Sequence, residues 1–296
     1  MNHTWGKRWA AVLGAALIFV AGLSVVTQAS DDNHALPFLR TGVGARAYGL
    51  GNAYTALASD ATAGFFNPAG LSRIQKWSFS SMLSADMFAD RRFNYLALAG
   101  SFKWGSIGAS WINAGIQNVT YTDNTTHDFM DNYFLIGYAN CAKAFHWGMN
   151  LVVANNKVAD ATGVGGDVGF QMDIQDEARI GVTAQSLGLK VGDDKVPYNI
   201  RLGLAVTPSA LSGFTFPVEI QKTQHRDNLE FRMGGEYMHH FENTDYAAAL
   251  RGGVDDGAFS IGAGLYFRQF GFDYAYVTDK VDFMGENHRF SLTGNF

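Results

Sequence analysis

Toward the end of the chain, apolar and polar residues alternate with a period of two. Over 258–267, Phe259, Ile261, Ala263, Leu265 and Phe267 share one face, and Ser260, Gly262, Gly264 and Tyr266 share the other. The same reading sets Phe290, Leu292 and Phe296 against Arg289, Ser291, Thr293 and Asn295. It sets Val168, Phe170, Met172 and Ile174 against Asp167, Gln171 and Asp173. Further cases are Ile200, Leu202, Leu204 and Val206 against Arg201, and Leu229, Phe231, Met233 and Tyr237 against Glu230, Arg232 and Glu236. Successive side chains of a strand point to opposite faces, so each stretch predicts a strand with one apolar side. Fourteen such segments follow one another, at 77–87, 91–103, 106–118, 132–144, 147–157, 166–174, 178–187, 198–207, 214–222, 229–240, 246–254, 258–267, 270–278 and 287–296. An even number returns both chain ends to the same side of a closed sheet, as in single-chain bacterial barrels.

The connections alternate in length as well. Trp104-Gly105, Phe145-His146, Gln175-Asp176-Glu177 and Arg268-Gln269 are tight, whereas 119–131, 187–197 and 278–286 read as longer polar loops. Asp255-Asp256-Gly257 is short where a long loop is expected, and 208–213 is longer than the other tight turns. Phe102, Trp104, Phe145, Trp147, Phe267 and Phe270 gather beside the tight turns, as an interfacial aromatic girdle would. A secreted soluble β-sandwich also alternates, but it turns its apolar faces inward and needs fewer strands. Loop asymmetry, girdle and terminal Phe296 together predict an all-β, 14-stranded antiparallel transmembrane β-barrel.

What precedes residue 77 is different. Lys7 and Arg8 open a positive region, Ala10 to Val26 carries no charge, and Thr27-Gln28-Ala29 offers small residues before a cleavage point. Residues 1–29 are therefore expected to be a signal peptide rather than an anchor, the apolar run being shorter than the ~20 residues a spanning helix needs. Residues 30–76 are rich in Gly and Ala and lack alternation, and are expected to fold into the lumen as a small helical and loop plug. Tyr48, Ala53, Tyr54, Ala56 and Leu57 suggest a short helix, with Asp60 capping the next turn. Residues 77–296 form the barrel. With 34 Gly, 23 Phe, 12 Tyr and 17% charged residues, the composition suits strands that meet lipid on one face and water on the other. A net charge of −5 excludes a basic nucleic-acid footprint, and the lone Cys141 excludes an internal disulfide or a Cys-based zinc site.

No catalytic, cofactor or metal motif emerges. His127, His146, His225, His239, His240 and His288 lack paired-ligand spacing, and no serine occupies a G-x-S-x-G elbow. GVGARAYGLG follows no buried strand and does not have phosphate-loop spacing. The inward faces are expected to carry Asp167, Asp173, Arg201, Glu230, Arg232, Glu236, Arg251, Asp273 and Arg289. Their mixed signs favour a lumenal salt-bridge network over an ion-selective stripe.

One segment carries a family likeness. FLRTGVGARAYGLGNAYTALASDATAGFFNPAGLSRI, 38–74, resembles the N-terminal signature of the PorV/PorQ outer-membrane proteins and, more distantly, of the FadL-like fatty-acid transporters. Gly44, Arg46, Gly49, Gly51, Asp60, Asn67, Pro68 and Gly70 make up its core. RLGLA at 201–205, GGEY at 234–237, LRGG at 250–253, FDYAY at 272–276 and HRFSL at 288–292 continue the likeness along the chain. What it implies is a fourteen-stranded barrel in the outer membrane of a Gram-negative-type envelope, serving as a platform in type IX-like protein export, with secreted proteins or secretion components as partners. The alternative it implies is FadL-like uptake of a hydrophobic small molecule. This chain is shorter than typical members of either group, so its surface loops are lean. Phe290, Leu292 and Phe296 match the C-terminal signal that the barrel assembly machinery reads. Outer-membrane lipid is the remaining expected partner, with no nucleic acid and no cofactor.

Overall fold

The computed structural model describes residues 36–86, 91–174, 176–278 and 287–296. The expected signal peptide, its cleavage point, Gln175 and most of the 278–286 loop lie outside them.

Among the described residues fifteen strands follow one another: β1 (Trp77–Asp86), β2 (Arg91–Phe102), β3 (Gly105–Thr120), β4 (Thr126–Ala142), β5 (Phe145–Asn156), β6 (Ala161–Ile174), β7 (Ala178–Val191), β8 (Asp194–Lys195), β9 (Asn199–Val206), β10 (Phe214–Thr223), β11 (Glu230–His240), β12 (Tyr246–Asp255), β13 (Ala258–Phe267), β14 (Phe270–Val277) and β15 (Asn287–Asn295). Fourteen are long and pair antiparallel with their neighbours, and β8 is a two-residue strand folded back on the end of β7. β1 pairs with β15 from Ser78↔Asn295 to Asp86↔Asn287, which closes the sheet into a ring. Closure leaves no unpaired edge, the condition for placing a sheet in hydrocarbon.

Period-two alternation orients the wall. Phe259, Ile261 and Leu265 are more than 60% exposed, while Ser260 between them is 4% exposed. A monomer in water rarely shows a contiguous apolar surface of this kind, so the outer face is one made for lipid. At the tight-turn end the aromatics touch one another. Trp77 meets Phe102, which stacks on Trp104 at 5.4 Å, and Trp104 stacks on Tyr138 at 6.0 Å. Phe214–Tyr237, Tyr246–Phe267 and Phe270–Phe296 continue the belt. Lys143 and Arg268 take positive φ in the two-residue turns there, as tight hairpin turns require.

Two expected loops prove shorter. Pairing between β3 and β4 runs on to Thr120↔Thr126, so 119–131 is the tip of a hairpin and only Tyr121–Thr125 is loop. The tip is rich in Thr, Val, Tyr and Phe, which favour strand, but both faces are exposed, so no alternation marks it. β7 likewise continues to Val191 through two successive register shifts, with Ser186 and Gly188 at φ 59° and 68°. The Asp167 carboxylate accepts the Ser186 N–H at 2.8 Å and holds that irregularity in place. The shifts mask the alternation that a regular strand would show.

Candidate functional site

The lumen is filled by the chain that precedes β1. Leu36 to Ile74 is almost wholly buried and circles the inner wall. Its helix is a single turn, Ala45–Gly49, rather than the 48–57 segment expected. Gly51 and Asn52 at φ 61° and 56° end it, and 53–57 folds as turns. A second turn covers Ala63–Phe66 and a 3-10 helix covers Pro68–Arg73. Asp60 accepts the Thr62 N–H at 2.8 Å. Asn67 caps the 3-10 helix by accepting from Ala69 N, and its amide donates to the Phe170 carbonyl of β6 at 3.0 Å.

One sector of the wall grips this segment through ions. Arg46 donates from Nη2 to Glu236 Oε1 at 2.7 Å and from Nε to Oε2 at 3.0 Å. Arg251 Nε reaches the same carboxylate at 2.6 Å, and its Nη1 reaches Asp273 at 2.7 Å. Burial alone would lower the Arg46 pKa, but the Glu236 carboxylate holds it well above its ordinary value. Burial pushes the Tyr54 hydroxyl up, so it stays neutral while it accepts from Arg46. Farther round, Arg232 meets Asp255, Glu230 and Glu219 at 2.8, 2.8 and 3.3 Å. Glu219 also accepts the backbone N–H groups of Tyr54 and Thr55. Arg201 lies 3.8 Å from Glu219 and 5.9 Å from the centre of the Phe66 ring. Asp167 takes Asn150 at 2.8 Å, Asp173 takes Arg73 and Arg179 at 2.9 Å, and Arg289 sits over the Tyr48 ring at 5.1 Å.

The wall of this sector is also built to let backbone meet backbone. A Cβ added at Gly181 or Gly203 would press on Thr55 and Ala56, at Gly234 on Leu50, at Gly253 on Leu50 and Gly51, and at Gly262 on Gly49. Gly148 meets the Pro68 and Ala69 backbone in the same way, Gly169 leaves room for the Asn67 and Pro68 side chains, and within the segment Gly70 meets Ala58. Gly44 donates its N–H to Met82 Sδ at 3.0 Å on the opposite side.

That opposite side mixes apolar and polar side chains. Met82, Phe93, Tyr95, Ala97, Ala99, Ile112, Tyr133, Leu135 and Val152 point inward from β1 to β5 and are buried, beside Ser78, Ser80, Ser106, Ser110, His146 and Asn150. Phe93 and Tyr133 lie near the loop-side ends of their strands. Between them sits Phe38, edge-on to both rings at 6.2 and 6.4 Å. Leu36, Leu39, Leu189, Val191 and Val196 complete this packed cluster. It is built by strands and by the segment before β1, not by the surface loops. The sequence did not mark it, because its members are scattered singly over strands whose inward faces also carry Ser78, Ser80, Ser106, Ser110, His146 and Asn150. Glu219 is a further inward charge beyond those expected, although its place between Val218 and Ile220 fixes its direction.

Among the described residues no group of His, Cys, Asp and Glu could hold a metal. An apolar recess of about 540 Å³ opens on the outer wall between Phe241, Tyr246, Leu265, Phe267, Phe270 and Phe272. A polar crevice of about 40 Å³ lies between Gly44, Arg46 and Thr62 on one side and Ser80, Tyr266, Asp273, Ser291 and Thr293 on the other.

No protein-family model matches the chain, and no curated protein matches its sequence. Solved structures do share the fold. The Ralstonia pickettii toluene transporter TbuX superimposes with a TM-score of 0.61 at 12% identity, over 86% of this chain and 98% of that one. The CymD monoaromatic hydrocarbon channel gives the same four values. A Pseudomonas aeruginosa FadL homologue gives 0.56 at 12% identity, over 86% and 98%.

Proposed function

We propose that this chain is an outer-membrane channel for the uptake of hydrophobic small molecules, with Leu36 to Ile74 as a hatch. The observation that carries the reading is the apolar cluster around Phe38. A barrel serving only as a platform can fill its lumen with paired charges throughout, yet this one lines the loop-side half of β2 to β5 with aliphatic and aromatic side chains. Such a lining favours an apolar ring or chain, and burying one there gains about 25 cal/mol per Å². The fold shared with transporters and channels of hydrocarbons supports the same conclusion. Of the two roles raised by the sequence, uptake is favoured. The export platform implied by the PorV/PorQ likeness has no counterpart among these folds. The charged lining serves to hold the hatch, and the outer aromatic belt seats the barrel in lipid.

The test is uptake of labelled toluene and labelled oleate by cells that make the protein, against cells that make it with Phe93→Arg and Tyr133→Arg. Several-fold faster uptake of either solute with the unaltered chain, abolished in the variant, is the expected result. Folded protein in the membrane with no gain over empty cells would overturn the proposal.

A further inference from the structure

The tight-turn rim of the barrel carries its charges unevenly. Along β1 to β5 it holds three lysines and no acidic side chain: Lys76 before β1, Lys103 in the β2–β3 turn and Lys143 in the β4–β5 turn, all exposed. Among the described residues none of the three pairs with an acidic group. Asp173, whose N–H donates to the Ala144 carbonyl beside Lys143, is already taken up by Arg73 and Arg179. From β6 to β14 the rim reverses sign. Asp176, Glu177, Glu242 and Asp245 stand there against Arg268, which is itself paired with Asp245 at 2.9 Å.

Beside the lysines runs a rail of touching rings. Trp77 meets Phe102 edge-on at 5.8 Å, Phe102 stacks on Trp104 at 5.4 Å, Trp104 stacks on Tyr138 at 6.0 Å, and Tyr138 meets Trp147 at 5.7 Å. The Tyr138 hydroxyl donates to the Trp104 carbonyl at 2.8 Å and Asn140 Nδ2 to the same oxygen at 3.2 Å, which ties the rail to the β2–β3 turn. Tryptophan and tyrosine sit at the level of lipid headgroups, so the rail fixes the height of the three ammonium groups. A lysine stem lies along apolar surface at that depth while its ammonium reaches the headgroup layer. Neighbouring strands lie about 4.8 Å apart, so the turns bring Lys76, Lys103 and Lys143 to the rim roughly 7–10 Å from one another. Lys143 holds φ 56° in its turn, where Gly or Asn would sit at less cost, so the turn itself does not call for a lysine.

We propose that the β1–β5 arc of this rim binds the phosphates of anionic phospholipid in the leaflet on the tight-turn side, and that the acidic arc from β6 to β14 does not. A zwitterionic headgroup sets a cation beside its phosphate, whereas three unpaired ammonium groups in a row favour a headgroup with net negative charge. The lysines stand at girdle height, so headgroups are the anions that reach them. The surface lies outside the lumen, goes beyond the uptake function and holds whatever solute the barrel carries.

Tryptophan fluorescence reads the arc directly, because Trp77, Trp104 and Trp147 lie in the rail and, among the described tryptophans, only Trp111 does not. The protein is folded into vesicles of mixed phosphatidylcholine and phosphatidylglycerol, with one lipid or the other brominated near the headgroup end of its chains. The two degrees of quenching give the affinity of the rail for phosphatidylglycerol relative to phosphatidylcholine. A lysine beside an anionic leaflet is worth about fivefold, so the unaltered chain should favour phosphatidylglycerol at least ~threefold. Lys76→Gln, Lys103→Gln and Lys143→Gln together should bring the ratio to within ~1.5-fold of one, while Arg268→Gln leaves it in place. Salt at about half-molar should also lower the ratio of the unaltered chain, since exposed charges are screened. Equal quenching by the two lipids would overturn the proposal and assign the lysines to an acidic protein instead. A preference that survives the triple substitution or the salt, or that vanishes in Arg268→Gln, would overturn it as well. Should the triple variant fail to fold, Lys103→Gln alone should lower the ratio by about half, and an unchanged ratio there would overturn the proposal.

Discussion

Removing Glu236 should destabilise the filled barrel more than removing its partner Arg46, although the same pair is broken in both. Glu236 accepts from Arg46 twice and from Arg251 once, with 3% of its side chain exposed. In Glu236→Ala both guanidinium groups lose their shared carboxylate. Arg251, with a fully buried side chain, keeps only Asp273 and Tyr266, and Arg46 keeps Tyr54. Breaking a buried pair from one side costs ~3–5 kcal/mol, and the remaining partners place this case at the lower end, about 3 kcal/mol. In Arg46→Ala the carboxylate still has Arg251, and the Arg46 side chain was already 29% exposed, so the loss should be about 1–2 kcal/mol. Residues in one network are not additive, so the double variant should cost at least ~1 kcal/mol less than the sum of the singles. Urea unfolding of the purified barrel in detergent, followed by tryptophan fluorescence, measures all three. Additivity within about 0.5 kcal/mol, or an Arg46→Ala loss equal to that of Glu236→Ala, would refute the shared-carboxylate reasoning.

Ile261→Arg, on the lipid face of β13, should cost about 2–4 kcal/mol on folding into bilayers, and Phe267→Arg at the aromatic belt about 0–1, so equal losses would contradict the assigned depth. Gly253→Ala places a Cβ against the Leu50 and Gly51 backbone, and should loosen the lumenal segment by ~1–3 kcal/mol while the ring stays closed, read as faster proteolysis before residue 77. Deleting 291–296 removes the β15 partners of Ser78 to Met82 and should abolish the heat-modifiable folded band, whereas Phe296→Ala should only slow its appearance. N-terminal sequencing of envelope protein should begin at or near Ser30, and an intact Met1 there would end the signal-peptide reading.

Strand number and direction were legible in the sequence wherever one face is apolar and the other is not. β13 and β15 alternate cleanly because Ile261 or Leu292 meets lipid while Ser260 or Ser291 meets the packed lumen. Legibility failed where that contrast fails. The β3–β4 tip is exposed on both faces, and β7 carries two bulges. The inner side of β1 to β5 intersperses Met82, Ile112 and Tyr133 with Ser78, Ser80 and Ser110, so no local run gave a hint of the apolar cluster they join. Charged lumen residues stood out singly, but their partners did not. Arg46 lies 190 positions from Glu236, and no local spacing links them.

The ionic sector of the lumen and the apolar cluster around Phe38 differ in what it costs to displace a neighbour. Where an apolar solute displaces an apolar neighbour, the packing is replaced in kind, so the free energy changes little as the solute enters. An ion pair parted in the same low-dielectric space has no substitute among such solutes, and each released group bears its desolvation cost. A lumen lined evenly by charge would therefore bar hydrophobic solutes, and one lined evenly by apolar side chains would leave the hatch without a fixed seat. Concentrating Glu219, Glu236 and Asp255 in one sector and Phe38, Phe93 and Tyr133 in another meets both requirements. The arrangement makes a directional demand on any substitution. A charge placed at Phe93 or Tyr133 should impede solute without loosening the segment, whereas neutralising Glu219 should loosen the segment without speeding solute entry.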